Sequence, residues 1–252
     1  MGEKTDNKDI VAPLVSVVVP VKNEEGNVAP LIAEIAGAFE SGDTAFEMIF
    51  VDDGSTDETP VILANLRASY PMLRQLRHVE SRGQSAAIRS GVRAARGAFI
   101  ATLDGDGQNN PAFVPAMVEV LKRGEGTVGI VQGQRVGRKD TAFKRWQSRM
   151  ANRIRGGILK DGTRDTGCGL KAFPRAVYLE LPYFDAIHRF MPALVKREGY
   201  EIAHLDVIDR PRHSGVSNYG FWGRLKVGIL DLAGVWWLIK RKKPATKVTE
   251  IV

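Results

Sequence analysis

Ala98-Phe-Ile-Ala-Thr-Leu-Asp104-Gly-Asp106-Gly-Gln108-Asn-Asn-Pro111 is the stretch whose reading decides the fold. Its apolar half is short and bounded as a buried strand is. Two carboxylates one residue apart follow at once. Alternation along an extended backbone points Asp104 and Asp106 to one side, and the glycine between them allows a tight turn. Gln108 continues the alternation with a neutral oxygen. Hard oxygen ligands, few in number, suit Mg²⁺ or Mn²⁺ that also takes water and phosphate oxygens. Open α/β sheets bind ligands beyond the carboxyl ends of their strands, so the stretch predicts a metal–diphosphate site at a strand end.

The chain on either side alternates strand and helix. Leu14-Val-Ser-Val-Val-Val-Pro20 is continuously apolar, as in a strand buried on both faces. Val28, Leu31, Ile32, Ile35 and Phe39 recur at helical spacing. Further strands are predicted at 46–51, 73–79, 98–103 and 128–132, and helices at 58–69, 84–96 and 111–122. Ser55 or Thr56 is the expected cap of the second helix, and Pro111 opens the fourth. Five such rounds predict a parallel, doubly wound sheet. Beyond Gln134 the pattern changes. A basic amphipathic stretch (143–159), a glycine-rich segment turning strand-like (165–173), a helix-like run (187–198) and a strand (202–208) precede a basic loop.

Composition narrows the functional classes. The chain of 252 residues can bury one large core. Its one cysteine, Cys168, excludes an internal disulfide, fits a reducing compartment and reads as a small buried hydrophobe. Met1–Pro13 is polar and reads as a loose tail without a signal peptide. The net charge of +7 is uneven: from Val207 onward nine Lys/Arg face three Asp/Glu. Such an excess suits a polyanion, and the absence of an aromatic base-stacking motif favours an anionic membrane surface over nucleic acid. Val227–Ile239 is too short to span a bilayer and is interrupted by Asp231. Trp236 and Trp237 beside Lys240-Arg-Lys-Lys243 are typical of an element lying in the membrane interface, with a helix packed on the core as the alternative.

Four segments together match one family in order: Val19-Pro20-Val-Lys-Asn23-Glu24, Val51-Asp52-Asp53-Gly54-Ser55, Asp104-Gly-Asp106-Gly-Gln108 and Asp165-Thr-Gly-Cys168-Gly-Leu-Lys171. The chain resembles family 2 inverting glycosyltransferases of the nucleotide-diphospho-sugar (GT-A, Rossmann-like) fold. Arg212-His-Ser-Gly-Val-Ser217-Asn218-Tyr219 makes it similar to the polyprenyl-phosphate, dolichol-phosphate mannosyltransferase-like branch. The resemblance implies a transferase domain over 14–219 and a membrane-associating helical extension over 220–252. It further implies peripheral attachment to the cytoplasmic face of the cytoplasmic membrane, without a transmembrane span. Pro20, Asn23, Glu24, Asp52, Asp53 and Asp104 would line the nucleotide-sugar pocket. Asp104, Asp106 and Gln108 would hold the metal. Arg135, Lys171, Arg212 and Ser217 would contact the acceptor phosphate, and Asp104, Asp106, Arg135, Lys171 and Asp165 would be the catalytic groups. Lys171 stands where the family often has Arg, and Asn218 where it often has Lys, which removes one cation from the acceptor site.

A phosphate acceptor has a second pKa near ~6 and is already substantially anionic at neutral pH, so it needs no obligatory base. A hydroxyl acceptor would need one, and Asp165 lies where it would sit. The expected activity is therefore metal-dependent inverting sugar transfer from a nucleotide-diphosphate sugar to a polyprenyl phosphate. Transfer to a saccharide or lipid hydroxyl, and a non-catalytic basic membrane-binding module, are the alternatives. The sugar, the choice of GDP or UDP, and self-association stay open.

Overall fold

The computed structural model describes residues 13–136, 150, 153, 155–210, 221–243 and 249, with backbone only for 221–227. Arg212, Ser217, Asn218 and most of the stretch 143–154, including Trp146, lie outside the described residues. Strands β1 (Val15–Val21), β2 (Phe46–Asp52), β3 (Leu73–Arg77), β4 (Phe99–Thr102), β5 (Val128–Val136), β6 (Lys171–Pro174) and β7 (Glu201–Ile208) form one sheet in the order β3-β2-β1-β4-β6-β5-β7.

Valine-rich runs make the central strands because β-branched side chains pack well on a pleated surface buried on both sides. Along β1, Val15, Val17, Val19 and Val21 enter one core and Val18 the other, so the strand divides the molecule. Helices α1 (Val28–Phe39) and α4 (Val114–Arg123) bury Leu31, Ile32, Ile35, Met117 and Leu121 in the first core. Helices α3 (Gln84–Ala94), α5 (Arg175–Glu180) and α6 (Met191–Arg197) bury Ile88, Val92, Val177 and Leu194 in the second. Helix α2 (Thr59–Leu66) inserts Leu63 into the first core. Neither Ser55 nor Thr56 caps it; Glu58 precedes it, and the Thr59 amide donates to Asp57 instead at 3.0 Å. Pro111 opens a 3₁₀ turn, Pro111–Phe113, which leads into α4.

The sheet is mostly parallel, as the resemblance implies, with one strand of opposite direction. β6 runs antiparallel to both β4 and β5 and sits between them, while β5 and β7 pair in parallel. This insertion matters for the site, because it brings Lys171 beside Thr102 at the end of β4. The fifth strand also runs four residues beyond Gln132, since β7 stays paired with it as far as Val136 and Ile208. Arg135 therefore projects from a strand.

Helix α7 (Phe221–Arg241) lies against α6. Val235 is buried, and Leu232, Leu238 and Ile239 pack on the second core. Arg197 donates from Nε to the Leu238 carbonyl at 3.0 Å, and Lys242 pairs with Glu198 at 2.7 Å. The opposite side leaves Ile229, Leu230, Trp236 and Trp237 exposed. The helix thus both packs on the core and presents an apolar outer face. No described helix is long and apolar enough to cross a membrane.

Candidate active site

The carboxyl ends of β1, β2 and β4 lie along one edge, with Val21 level with Asp52 and Val18 with Thr102. β1 is flanked by β2, which extends the sheet one way, and by β4, which extends it the other. The crevice is therefore the topological switch point at which α/β sheets bind ligands.

On the β1–β2 side two loops are stitched together. Asn23, at a φ of 56° that asparagine tolerates better than most residues, donates its amide to Ser55 and accepts from the Thr56 amide at 2.8 Å. The Glu24 amide donates to Thr59, and the Glu24 carboxylate accepts from Asn27 at 2.5 Å. Asp52 is fully buried; one oxygen accepts from the Ser55 amide at 2.8 Å and the other faces Arg77 at 3.3 Å. Asp53 uses both oxygens within the protein, accepting from Ser81, the Arg82 and Gly83 amides, and His78. Burial raises its pKa, but these donors hold it below the ordinary carboxylate range. Asp53 thus fastens the 78–83 loop under the crevice.

On the β4 side the strand ends at Thr102, and residues 105–106 turn. The tight turn expected between Asp104 and Asp106 is made here, and it brings residue 105 so close to β1 that a Cβ would stand 2.8 Å from the Pro20 carbonyl oxygen. The Asp104 amide donates to Asn109 and the Gln108 amide to Asp106. Arg210, after β7, closes the loop from outside by donating its amide to the Gln108 carbonyl at 2.9 Å and pairing with Glu34. Burial first, then the charge of Asp106, pushes the Asp104 carboxyl up to about 6. Among the described residues no three His, Cys, Asp or Glu side chains converge as metal ligands. Two carboxylates close enough for one to raise the pKa of the other nonetheless fit a hard divalent cation, which would relieve their repulsion.

Beside Asp104 a cavity of about 400 Å³ opens, and β6 supplies its far wall. Asp104, Arg135, Asp165 and Lys171 all line it, as do Gln84, His188 and Arg189. Asp106, Gln108 and the nucleotide-loop residues Pro20, Asn23, Glu24, Asp52 and Asp53 are not on its wall. Gln84 donates to Asp104 at 2.8 Å. Lys171 is almost completely buried, and its ammonium donates to the Cys168 carbonyl. Burial lowers its pKa, against the pull of the Cys168 thiol, Asp104 and Asp165. Arg135 holds Asp165 in a bidentate pair at 2.6 and 3.0 Å and also reaches Asp209 at 3.4 Å. Burial opposes its charge, yet Asp165 raises its pKa overall. His188 bonds Ser85 through Nδ1 at 2.7 Å, and burial followed by the charges of Lys171 and Arg189 drives its pKa down to about 3. Cys168 is buried and its thiol is pushed up to about 11, chiefly by burial.

His188 and Arg189 were not singled out from sequence, and Gln84 only within the segment Ser81-Arg82-Gly83-Gln84, with no role given to it. Gln84 carries a usable signal, since it follows Gly83 at the start of a helix pointing at the crevice. His188 and Arg189 carry none, being ordinary residues of a 3₁₀ turn, Ile187–Arg189. Within the basic amphipathic stretch 143–159, Arg155 is buried in a pair with Asp161, whereas Met150 and Ile158 are exposed.

Comparison with known proteins agrees with this geometry. Residues 16–181 match the model of glycosyl transferase family 2. The dodecaprenyl-phosphate galacturonate synthase of Rhizobium johnstonii is 38% identical over 90% of this chain and 68% of its own length. The undecaprenyl-phosphate 4-deoxy-4-formamido-L-arabinose transferase of Shewanella sediminis is 32% identical over 82% of this chain, which spans 62% of that relative. Among solved structures, a Pyrobaculum calidifontis mannosyltransferase in complex with GDP-Man and Mn²⁺ superposes with a TM-score of 0.66 at 21% identity, over 93% of this chain and 66% of that one. A Mycobacterium tuberculosis glucosyl-3-phosphoglycerate synthase in complex with Mn²⁺, UDP and phosphoglyceric acid gives 0.66 at 18% identity, over 92% and 80%. A mostly parallel sheet with its crevice at the β1–β4 switch point, matched over two thirds of the sequence, is the nucleotide-sugar transferase fold, and the chain belongs to glycosyl transferase family 2.

Proposed function

We propose that this glycosyltransferase moves a sugar, with inversion, from a nucleotide-diphosphate sugar to a polyprenyl phosphate. The observation that carries the acceptor is the state of Asp165. Its two oxygens are held by Arg135, so the carboxylate best placed as a base is committed to an ion pair. His188, near 3, is too weakly basic to take a proton effectively at neutral pH. A hydroxyl nucleophile would find neither group ready. A phosphate needs no deprotonation, and the cavity offers what it does need: the buried Lys171 ammonium and the Arg189 guanidinium are both in its lining.

Asp52 and the 22–25 loop would receive the nucleoside at the β1–β2 edge. Asp104, with Asp106 and Gln108, would hold Mg²⁺ or Mn²⁺, which when bound neutralises charge growing on the departing diphosphate. Lys171 then orients the acceptor oxygen towards the anomeric carbon, on the side away from that leaving group. Arg212 and Ser217 are proposed to complete the acceptor site.

The outer face of α7, with Trp236, Trp237 and Lys240-Arg-Lys-Lys243, supports a peripheral membrane position that keeps the prenyl tail in lipid. The relatives' galacturonate and aminoarabinose names make UDP-linked uronic acids and amino-pentoses the first donors to try. The test is a radiolabel assay with Mn²⁺, undecaprenyl phosphate in detergent and a panel of labelled GDP- and UDP-sugars. Label in the organic phase with one donor, lost in Asp106→Ala, is the expected result. Label appearing only on an added saccharide would overturn it.

A further inference from the structure

A second, smaller pocket lies on the opposite side of the 3₁₀ turn Ile187–Arg189 from the transfer cavity. His188 and Arg189 line the transfer cavity, whereas Ile187 lines the smaller pocket. The smaller one holds about 40 Å³, room for more than one water-sized group. Arg89 and Arg93 stand on its rim, one turn apart on α3 and therefore on the same face. Like charges so placed repel. Among the described residues no carboxylate pairs with either, whereas the part-buried Arg135 and the buried Arg155 each have one.

Two further observations point into the same space. Tyr178 is 4% exposed and lines the pocket, yet its hydroxyl has no hydrogen-bond partner among the described residues. A buried hydroxyl left unpaired is costly, so it marks a missing partner. The Arg89 guanidinium carbon also sits 3.9 Å from the centre of the Tyr183 ring. That contact uses none of its N–H groups as hydrogen-bond donors to an acceptor oxygen. The pocket therefore joins one buried neutral donor and two unneutralised forks over an apolar floor of Leu181 and Ile187.

We propose that this pocket is an oxyanion site for a phosphoryl group, which accepts from the Tyr178 hydroxyl and neutralises Arg89 and Arg93. Two sources share that chemistry: free phosphate, and the phosphomonoester headgroup of an anionic lipid. The site is separate from the transfer cavity, so it stands or falls independently of the acceptor assignment.

The test compares the full chain with Tyr178→Phe and with Arg89→Gln/Arg93→Gln. Melting temperature is measured against inorganic phosphate, and binding is measured to phosphatidylcholine vesicles with and without phosphatidic acid. None of these residues lines the transfer cavity, so phosphate bound there shifts all the proteins alike. If free phosphate is the ligand, it raises the melting point of the wild type by at least 2 °C more than that of either variant. If a lipid headgroup is the ligand, phosphatidic acid vesicles bind the wild type at least fivefold more tightly than the variants, and pure phosphatidylcholine does not discriminate. Identical responses to both probes overturn the proposal. Should the double arginine variant fail to fold, Tyr178→Phe decides alone. It removes only an unpartnered hydroxyl and melts no lower than the wild type in phosphate-free buffer.

Discussion

Gly169→Ala should disable the enzyme by moving one carboxylate. A Cβ built at residue 169 stands 2.3 Å from the Asp104 Cγ and from both of its oxygens. Relief to ordinary van der Waals contact requires about 1 Å of movement. The backbone at 169 is poorly placed to supply it. Thr102 donates to the Gly169 carbonyl at 2.8 Å, and the Gly133 amide donates to the neighbouring Leu170 carbonyl at 3.0 Å. Asp104 must therefore swing away from its bond with Gln84. A displacement of that size costs about 10²-fold in rate where a group is positioned for reaction. Overpacking itself costs about 1–3 kcal/mol, which lowers the melting point by several degrees without unfolding the chain. The assay is kcat for sugar transfer with an Mn²⁺ titration, beside Gly156→Ala, where a Cβ meets nothing within 4 Å. The expected outcome is a ~100-fold loss and an Mn²⁺ titration shifted to higher concentration in Gly169→Ala alone. Activity within threefold of wild type at the same Mn²⁺ dependence would refute the placement of Asp104 at the reacting diphosphate.

Asp161→Asn should strand the buried Arg155 guanidinium and cost about 3–5 kcal/mol, seen as a melting point about 10 °C lower. Acid should destabilise the fold through His188: its folded pKa of about 3 lies below the unfolded value near 6.5, so stability is full above pH 6.5 and falls as pH drops towards 3. By pH 5 the loss from this group is about 2 kcal/mol, and denaturant melts of His188→Gln should show that much less acid sensitivity than the wild type. Trp236→Ala/Trp237→Ala should weaken binding to anionic vesicles at least tenfold with little change in melting point, because both rings face outward. About 100 Å² of each ring, at about 25 cal/mol/Å², sets a ceiling near 2.5 kcal/mol apiece. Unchanged vesicle binding would remove α7 from the membrane contact.

The central strands and their helices were legible because burial on both faces leaves an unbroken apolar run, and a one-sided helix leaves a 3.6-residue period. Val15–Val21 and Val28–Phe39 show this directly. The direction of β6 was not legible. Lys171–Pro174 is four residues long, and an apolar strand of that length looks the same parallel or antiparallel. That direction decides where Lys171 goes. The cavity was legible only where a motif carried its residues, as with Asp104, Arg135, Asp165 and Lys171. Ser85 and His188 meet across 103 residues of sequence, and nothing local to either marks the contact. The partner of Asp53 is equally hidden, since a carboxylate at a strand end looks alike whether it awaits a ligand or ties down a loop.

The acceptor is the claim on which the account turns. The most direct test offers the enzyme undecaprenyl phosphate and undecaprenol side by side, with the same labelled donor, Mn²⁺ and detergent. Transfer to the phosphate alone, retained at a tenth or more of wild-type rate in Asp165→Asn, is the predicted result. Transfer to the alcohol, abolished by Asp165→Asn, would show that Asp165 serves as a base and would contradict the account.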